Sequence, residues 1–341
     1  MTSNDVSIGD PVKKRSVNIC YRQPVVRIVA FLTVCLLISS VYAQNRTSVS
    51  FDEIAAVANG YPLSEVESLS IPDGIALAYR HYAANGDARG VVIVYHGAGL
   101  HSGAGYQIIA SILASRFGFH VITPDLRGHG LSGGQRGGTT SPDRLYGDVD
   151  RIMEFTVDRW PDLPLFFVGH SSSAGLLVNH RSFTTRASDI DGYAFLAPLF
   201  DLRSGIGRDP DLPPFSRVNS SLFVLNRLTF GLLGGFGYAL FFNFPESLLA
   251  GDPWIIPRMT VHMVNAISTK RPSRRLPKIG SVSMAWIGTE DELIDSERIG
   301  EYLKSNGSGV QTTQLEGATH AGILIDAAAP LGHWLTQQIS D

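Results

Sequence analysis

Cysteine is nearly missing from this chain. Only Cys20 and Cys35 occur in 341 residues, and both lie in the first 43. Beyond that point no disulfide can form, whatever the redox compartment. The remaining length, about 300 residues, must be held by its core alone, which a chain of that size can build. Also missing are long charge runs, low-complexity blocks and any repeat at fixed period, so tails and repeat arrays are excluded. Basic excess is absent as well: 28 Lys and Arg face 31 Asp and Glu, a net charge of −3, so no surface for nucleic acid is advertised. At 44% hydrophobic and 17% charged residues, the composition is that of one large globular domain, or one domain carrying an insertion.

An apolar run of ordinary membrane-spanning length is lacking too. One candidate, Ile28 to Ala43, falls short of the roughly 20 residues a comfortable span needs. It follows Lys13, Lys14, Arg15, Arg22 and Arg27 and ends in Val-Tyr-Ala. A basic region, an apolar region and that ending resemble a secretory signal peptide. One alternative is a soluble cytosolic protein with an unusual N-terminus; otherwise residues 1–43 are expected to be a signal peptide cleaved after Ala43, or an uncleaved signal anchor. Either leader reading places the rest of the chain outside the cytoplasm, as a periplasmic, secreted or membrane-anchored protein. Residues 44–65 read as a linker.

From residue 66 a pattern of alternating elements begins. Residues 69–82 read as two short strands around Pro72-Asp73-Gly74, and Val91 to Tyr95 as a strand buried on both faces. Helices are predicted over 107–116, 146–159 and 174–181, with strands over 120–123, 165–168 and 193–196. The alternation stops near residue 201 and resumes with strands at 282–287 and 310–315, then helices at 296–305 and 327–339. Strands alternating with helices predict an α/β fold with a mostly parallel sheet covered on both faces. The core is thus 66–200 and 277–341, interrupted by an insertion at 201–276. That insertion is rich in Pro, Gly and aromatics, and its stretch 228–244 is apolar on all sides. Four glycines and its short length argue against a spanning helix there. It is either the apolar wall of a cap or a surface that docks on a membrane.

Residues 168–176 read V-G-H-S-S-S-A-G-L at the end of an apolar strand. A strand, a sharp turn and a helix are the setting of a nucleophile elbow, in which the residues two before and two after the nucleophile must be small. Ser171 has Gly169 and Ser173 there. Ser172 has the large His170, and Ser173 moves the turn two residues away from the strand. Ser171 is the favoured nucleophile. A serine needs a base and the base an orienting acid, in the chain order Ser, acid, His for this fold. Downstream, Glu290, Asp291, Glu292 and Asp295 compete for the acid, and His320 follows a strand in the loop E-G-A-T-H-A-G. His333 lies inside the last helix beside Trp334 and reads as a packing residue. Upstream, H-G-A-G-L-H-S-G (96–103) opens a glycine turn after a buried strand. The expected oxyanion donors are the N–H groups of Ala98 and Ser172.

With H-G-A-G-L-H-S-G (96–103), D-L-R-G-H-G-L-S (125–132), G-H-S (169–171), G-T-E-D-E-L-I-D (288–295) and G-A-T-H (317–320) in this order, the chain resembles the monoacylglycerol lipase and lysophospholipase group of α/β-hydrolases. The likeness covers about residues 66–341 and fades in the insertion. It implies an α/β-hydrolase fold, with Ser171 as nucleophile, His320 as base and Asp291 as acid. Asp295 takes a structural role and 201–276 the place of a cap. No metal and no organic cofactor are implied. The substrate would be an acyl ester or lipid, first a monoacylglycerol, then a lysophospholipid or xenobiotic ester. Two alternatives stay open: a non-catalytic ligand-binding homologue, and an amide or peptide hydrolase using the same triad. Ser173, standing where the elbow usually has glycine, keeps the first of these alive. Outside the triad, Asp125 and Arg127 read as ties between loops, and His101 and Ser102 as braces of the oxyanion turn. His129 and His170 read as packing or hydrogen-bonding residues.

Overall fold

The computed structural model describes residues 49–207 and 214–340. The expected leader, residues 1–43, lies outside the described residues. No helix among the described residues is long and apolar enough to cross a membrane.

The chain runs α1 (Asp52–Ala58), β1 (Val66–Ser70), β2 (Ala76–Tyr82), β3 (Gly90–Tyr95), α2 (Tyr106–Phe117), β4 (Phe119–Pro124), α3 (Pro142–Arg159), β5 (Leu165–His170), α4 (Ser173–Arg181) and β6 (Gly192–Leu196). Next come β7 (Ser216–Val218), α5 (Ser220–Leu228), β8 (Tyr238–Phe242), α6 (Glu246–Gly251), β9 (Arg258–Thr260), α7 (Val261–Ile267) and α8 (Pro272–Arg275). The chain closes with β10 (Ser283–Gly288), α9 (Ser296–Ser305), β11 (Gln311–Leu315), α10 (Ile323–Asp326) and α11 (Ala328–Ser340). Among the described residues, eight strands form one sheet in the order β1-β2-β4-β3-β5-β6-β10-β11. β1 and β2 join antiparallel, and the pairs from β4 to β11 are parallel. This is the expected mostly parallel α/β sheet.

Local chemistry explains the element ends. β3 and β5 are buried at every residue, as a strand covered on both faces must be. Helix α3 starts where the Ser141 hydroxyl accepts the Arg144 N–H, with Pro142 in the first turn. Helix α2 stops at Gly118, which adopts a left-handed conformation. The described part of 44–65 departs from the linker reading: it contains α1, whose Ile54 is buried in the core. A seven-residue helix with one buried side chain is too short for its periodicity to be seen in sequence.

Topology fixes where a ligand can sit. From β3 the chain crosses to β4 on one side and then returns past β3 to β5 on the other. The C-terminal ends of β3 and β5 therefore flank a switch point, the usual binding crevice of open α/β sheets. The register aligns Tyr95 with Gly169, His170 with Leu196, and Leu196 with Trp286. The loops after β3, β5, β6 and β10 thus leave the sheet at one edge. Within the insertion, residues 216–275 form a separate three-stranded antiparallel sheet, β7-β8-β9, with its own helices. Its stem is tied to the core where Asn179 Nδ2 donates to the carbonyls of Ala266 and Ser268. Gly175 is required there, because a β-carbon would collide with the Ile267 carbonyl.

Candidate active site

β5 delivers Ser171 at a turn with φ 53°, a left-handed conformation that a side chain rarely adopts. Three backbone bonds hold it: Ser171 N–H donates to Leu196 O, and Ser171 O accepts from Ala174 and Leu199. The turn tolerates no side chain two residues earlier, since a β-carbon on Gly169 would lie 2.9 Å from the Ser173 backbone. Ser173 itself is fully buried, and its hydroxyl donates to the His96 carbonyl at 2.5 Å. The departure from glycine is therefore a tie between the elbow and the turn after β3, not a distortion of the site. Ser173→Ala is expected to leave that buried carbonyl unpaired. It should lower stability by about 1–2 kcal/mol and kcat by a few-fold, as urea unfolding and ester kinetics would record.

His320 meets Ser171 from the loop after β11. Its Nε2 lies 3.0 Å from Ser171 Oγ, and its Nδ1 lies 2.9 and 3.1 Å from the two oxygens of Asp291. The network assigns the tautomer: Nδ1–H donates to the carboxylate and Nε2 accepts the serine proton. Asp291 is fully buried, and its Oδ1 also accepts from the Leu293 and Ile294 N–H groups. Burial opposes the charged form of His320, but the Asp291 charge and hydrogen bond, with Glu292 adding, outweigh it and hold the imidazole pKa above its ordinary value.

The other three acidic residues of the G-T-E-D-E-L-I-D stretch are placed differently, two by their carboxylates and Glu290 by its backbone. Asp295 caps α9, accepting from Glu297 and Arg298 N–H. Glu292 accepts the backbone N–H of His320 at 2.8 Å. Glu290 N–H donates to Ala318 O.

The oxyanion candidates Ala98 and Ser172 line the same cavity as Ser171 and His320. Their N–H groups take no acceptor within the protein among the described residues. The turn that carries Ala98 is built with little slack. Gly97 N–H donates to Tyr106 Oη, Tyr106 O–H donates to His170 Nδ1, and His170 Nε2–H donates to the His320 carbonyl. One buried chain of hydrogen bonds thus joins the oxyanion turn to the loop of the base. Burial pushes the His170 pKa down to about 3, so the ring stays neutral and both its roles are fixed. Tyr106, just outside the predicted helix, was not foreseen in this network. An aromatic following Gly103-Ala104-Gly105 is its only sequence signal.

His101 and Ser102 brace this turn from the far side. His101 Nε2 bonds Asp252 of the inserted segment at 2.7 Å, and Ser102 N–H donates to Asp125 Oδ1 at 2.6 Å. Asp125 also accepts from Leu131, and Arg127 reaches both Asp148 and Asp73, so these two residues tie loops together. His129 is buried, its pKa lowered to about 3 by burial, and its Nδ1 bonds Arg127 O. His333 is exposed and stands edge-on to Phe117, apart from the cavity.

The cavity above Ser171 has a volume of about 360 Å³. Leu199, Leu240, Phe215, Phe242 and Phe244 form much of its wall, and no Asp, Glu, Lys or Arg is among its described lining. Among the described residues no cluster of side chains is suited to a metal. A serine hydroxyl, an imidazole held by a carboxylate and two free amides beside an apolar cavity suit attack on a carbonyl.

The chain is similar to known hydrolases in sequence and in fold. The family model described as serine aminopeptidase, S33 (Hydrolase_4) matches residues 86–326. The monoglyceride lipase of Rattus norvegicus is 27% identical over 271 residues, covering 76% of this chain and 84% of that protein. A soluble variant of the Saccharomyces cerevisiae monoglyceride lipase, solved with a substrate analog, superposes with a TM-score of 0.63 at 17% identity, over 81% and 96% of the two chains. The Paleococcus ferrophilus monoacylglycerol lipase gives 0.56 at 22% identity, over 77% and 99%.

Proposed function

This chain belongs to the Hydrolase_4 family, described as serine aminopeptidase, S33, and is a lipase-like carboxylic ester hydrolase of the serine type; from that premise we propose that Ser171, His320 and Asp291 carry the reaction and that its substrate is a monoacylglycerol or a similar acyl ester. Ser171 Oγ attacks the ester carbonyl and His320 Nε2 takes its proton. Asp291 stabilises the resulting imidazolium. The tetrahedral oxyanion develops against the Ala98 and Ser172 N–H groups. His320 then protonates the leaving alcohol, and water releases the acid from the acyl-enzyme by the same steps in reverse order.

The observation that carries this reading is the cavity wall. An acyl chain gains by entering it, at roughly 0.8 kcal/mol per buried methylene. The family description also favours a second reading, an aminopeptidase. Such an enzyme must hold the substrate's charged amino terminus, and burying an ammonium group without a partner is costly. The described part of the wall, which carries no carboxylate, favours the ester. The deciding experiment is fatty-acid release across a monoacylglycerol chain-length series, beside amine release from aminoacyl amides. Rates that climb from short to medium chains, with labelling of Ser171 by a serine-directed phosphonate, support the ester reading. Faster turnover of the amides would replace it.

The cap also supports contact with a lipid surface. Leu228, Phe230, Leu232 and Phe236 are 71, 97, 78 and 72% exposed, clustered in nine residues at the end of α5. Apolar exposure of this density marks an interaction surface. Changing Phe230, Leu232 and Phe236 together to aspartate is expected to weaken binding to phosphatidylcholine vesicles at least tenfold. Hydrolysis of a water-soluble short ester should be unchanged. Vesicle co-sedimentation and a soluble-ester assay would check both arms. The basic-then-apolar leader supports export of the protein, and N-terminal sequencing of the exported form would find Gln44 first if the leader is cleaved.

A further inference from the structure

Residues 49–51 lie over this site without belonging to the triad. Val49 is fully buried, and Val49 and Phe51 both line the cavity above Ser171. Phe51 packs on Phe244 of the cap, ring centroids 5.8 Å apart. Between them, Ser50 N–H donates to Glu292 Oε1 at 3.0 Å. The other oxygen of that carboxylate, Oε2, accepts the His320 N–H. Adjacent carboxylates thus grip the same histidine, Asp291 by its ring and Glu292 by its backbone.

The helix that follows is seated on both sides of the site. Ile54 of α1 packs against Gly105, where any β-carbon would collide with it. Glu53 lies against Gly322, two residues past His320, close enough that a β-carbon there would sit 2.8 Å from its carboxylate. The segment therefore touches the oxyanion loop, the cap and the loop of the base.

We propose that Val49–Phe51 is a strap that governs this site: its side chains wall the acyl cavity, and its backbone, acting through Glu292 as a positioning residue, holds the His320 loop in place. The proposal rests on the ester hydrolase reading for its kinetic consequences, but not for its structural ones. Glu292 has a second effect. Its charge adds to that of Asp291 in favouring the imidazolium of His320 against the cost of burial.

Three variants of the full chain test this. Phe51→Ala opens the wall, Ser50→Pro removes the N–H that reaches Glu292, and Glu292→Gln removes the charge and one of two acceptor oxygens. Amide hydrogen exchange across 317–322 is expected to quicken in Ser50→Pro and Glu292→Gln and to stay slow in Phe51→Ala. With p-nitrophenyl acetate and laurate, Glu292→Gln should lower kcat about tenfold on both esters with KM little changed. The acid limb of its pH profile should move to lower pH. Phe51→Ala should raise KM about tenfold for laurate and little for acetate. Unchanged exchange in both Ser50→Pro and Glu292→Gln would overturn the grip on His320. An equal KM change for both esters in Phe51→Ala would overturn the wall. If the wild type hydrolysed neither ester, the hydrolase reading would fail on its own. The exchange data, and lauric acid binding by calorimetry to wild type and Phe51→Ala, would still decide the strap.

Discussion

Ser171→Ala is expected to lower kcat for ester hydrolysis by roughly 10⁶, the loss usual when a nucleophile is deleted from a triad that acts as a unit. Neither neighbour can take its place. Ser173 is fully buried and its hydroxyl is committed to the His96 carbonyl. Ser172 opens α4, and no bond joins its hydroxyl to the imidazole among the described residues. Alanine keeps the β-carbon and the left-handed backbone at 171, so the fold should be retained and the melting temperature little changed. The oxyanion amides and the cavity survive in the variant, which leaves a residual 10³ to 10⁴-fold advantage over water. The check is kcat by stopped assay with intact-mass analysis after phosphonate treatment. A variant retaining a hundredth of wild-type activity on a folded sample would remove Ser171 from the mechanism.

The ability to name Ser171 without a structure has a simple physical origin. The elbow is local: strand, tight turn and helix all lie within 165–181, and sterics inside that window separate the three serines. The same holds for β3 and β5, whose solid apolar runs announce burial on both faces, and for α9, whose predicted and observed spans coincide at Ser296–Ser305. The acid was not legible in this way. Glu290, Asp291, Glu292 and Asp295 share one loop, and spacing alone does not rank them; only the family resemblance singled out Asp291. In three dimensions they separate at once. Asp291 turns inward onto His320, Asp295 caps a helix, and Glu292 takes a backbone amide from a loop 28 residues away. The strap is further still from local reading. Ser50 meets Glu292 across 242 residues, and no period or motif in 49–58 records that contact. Likewise the buried chain from Gly97 through Tyr106 and His170 to His320 joins segments that sequence places far apart.

Asp291→Asn should cost roughly 10⁴ in kcat, and the local hydrogen bonds explain why so small a change does so much. In the native chain Asp291 Oδ1 accepts from the Leu293 and Ile294 N–H groups. An asparagine must place its carbonyl oxygen there, because an amide nitrogen would face two donors with donors of its own. Its NH₂ then occupies the Oδ2 position, 2.9 Å from His320 Nδ1 in the native arrangement. A donor facing Nδ1 favours the tautomer with the proton on Nε2, and that nitrogen can no longer accept the proton of Ser171. The substitution also removes the main charge that raises the His320 pKa. Activity requires neutral His320, so the native profile rises with pH through this raised pKa. In the variant the same limb should appear at lower pH on a much smaller kcat. Replacement by alanine lacks the opposing donor but leaves the two N–H groups without their acceptor, so it should lower stability where asparagine does not. A kcat within tenfold of wild type for Asp291→Asn, or an acid limb that moves upward, would show that another carboxylate of this loop orients the base.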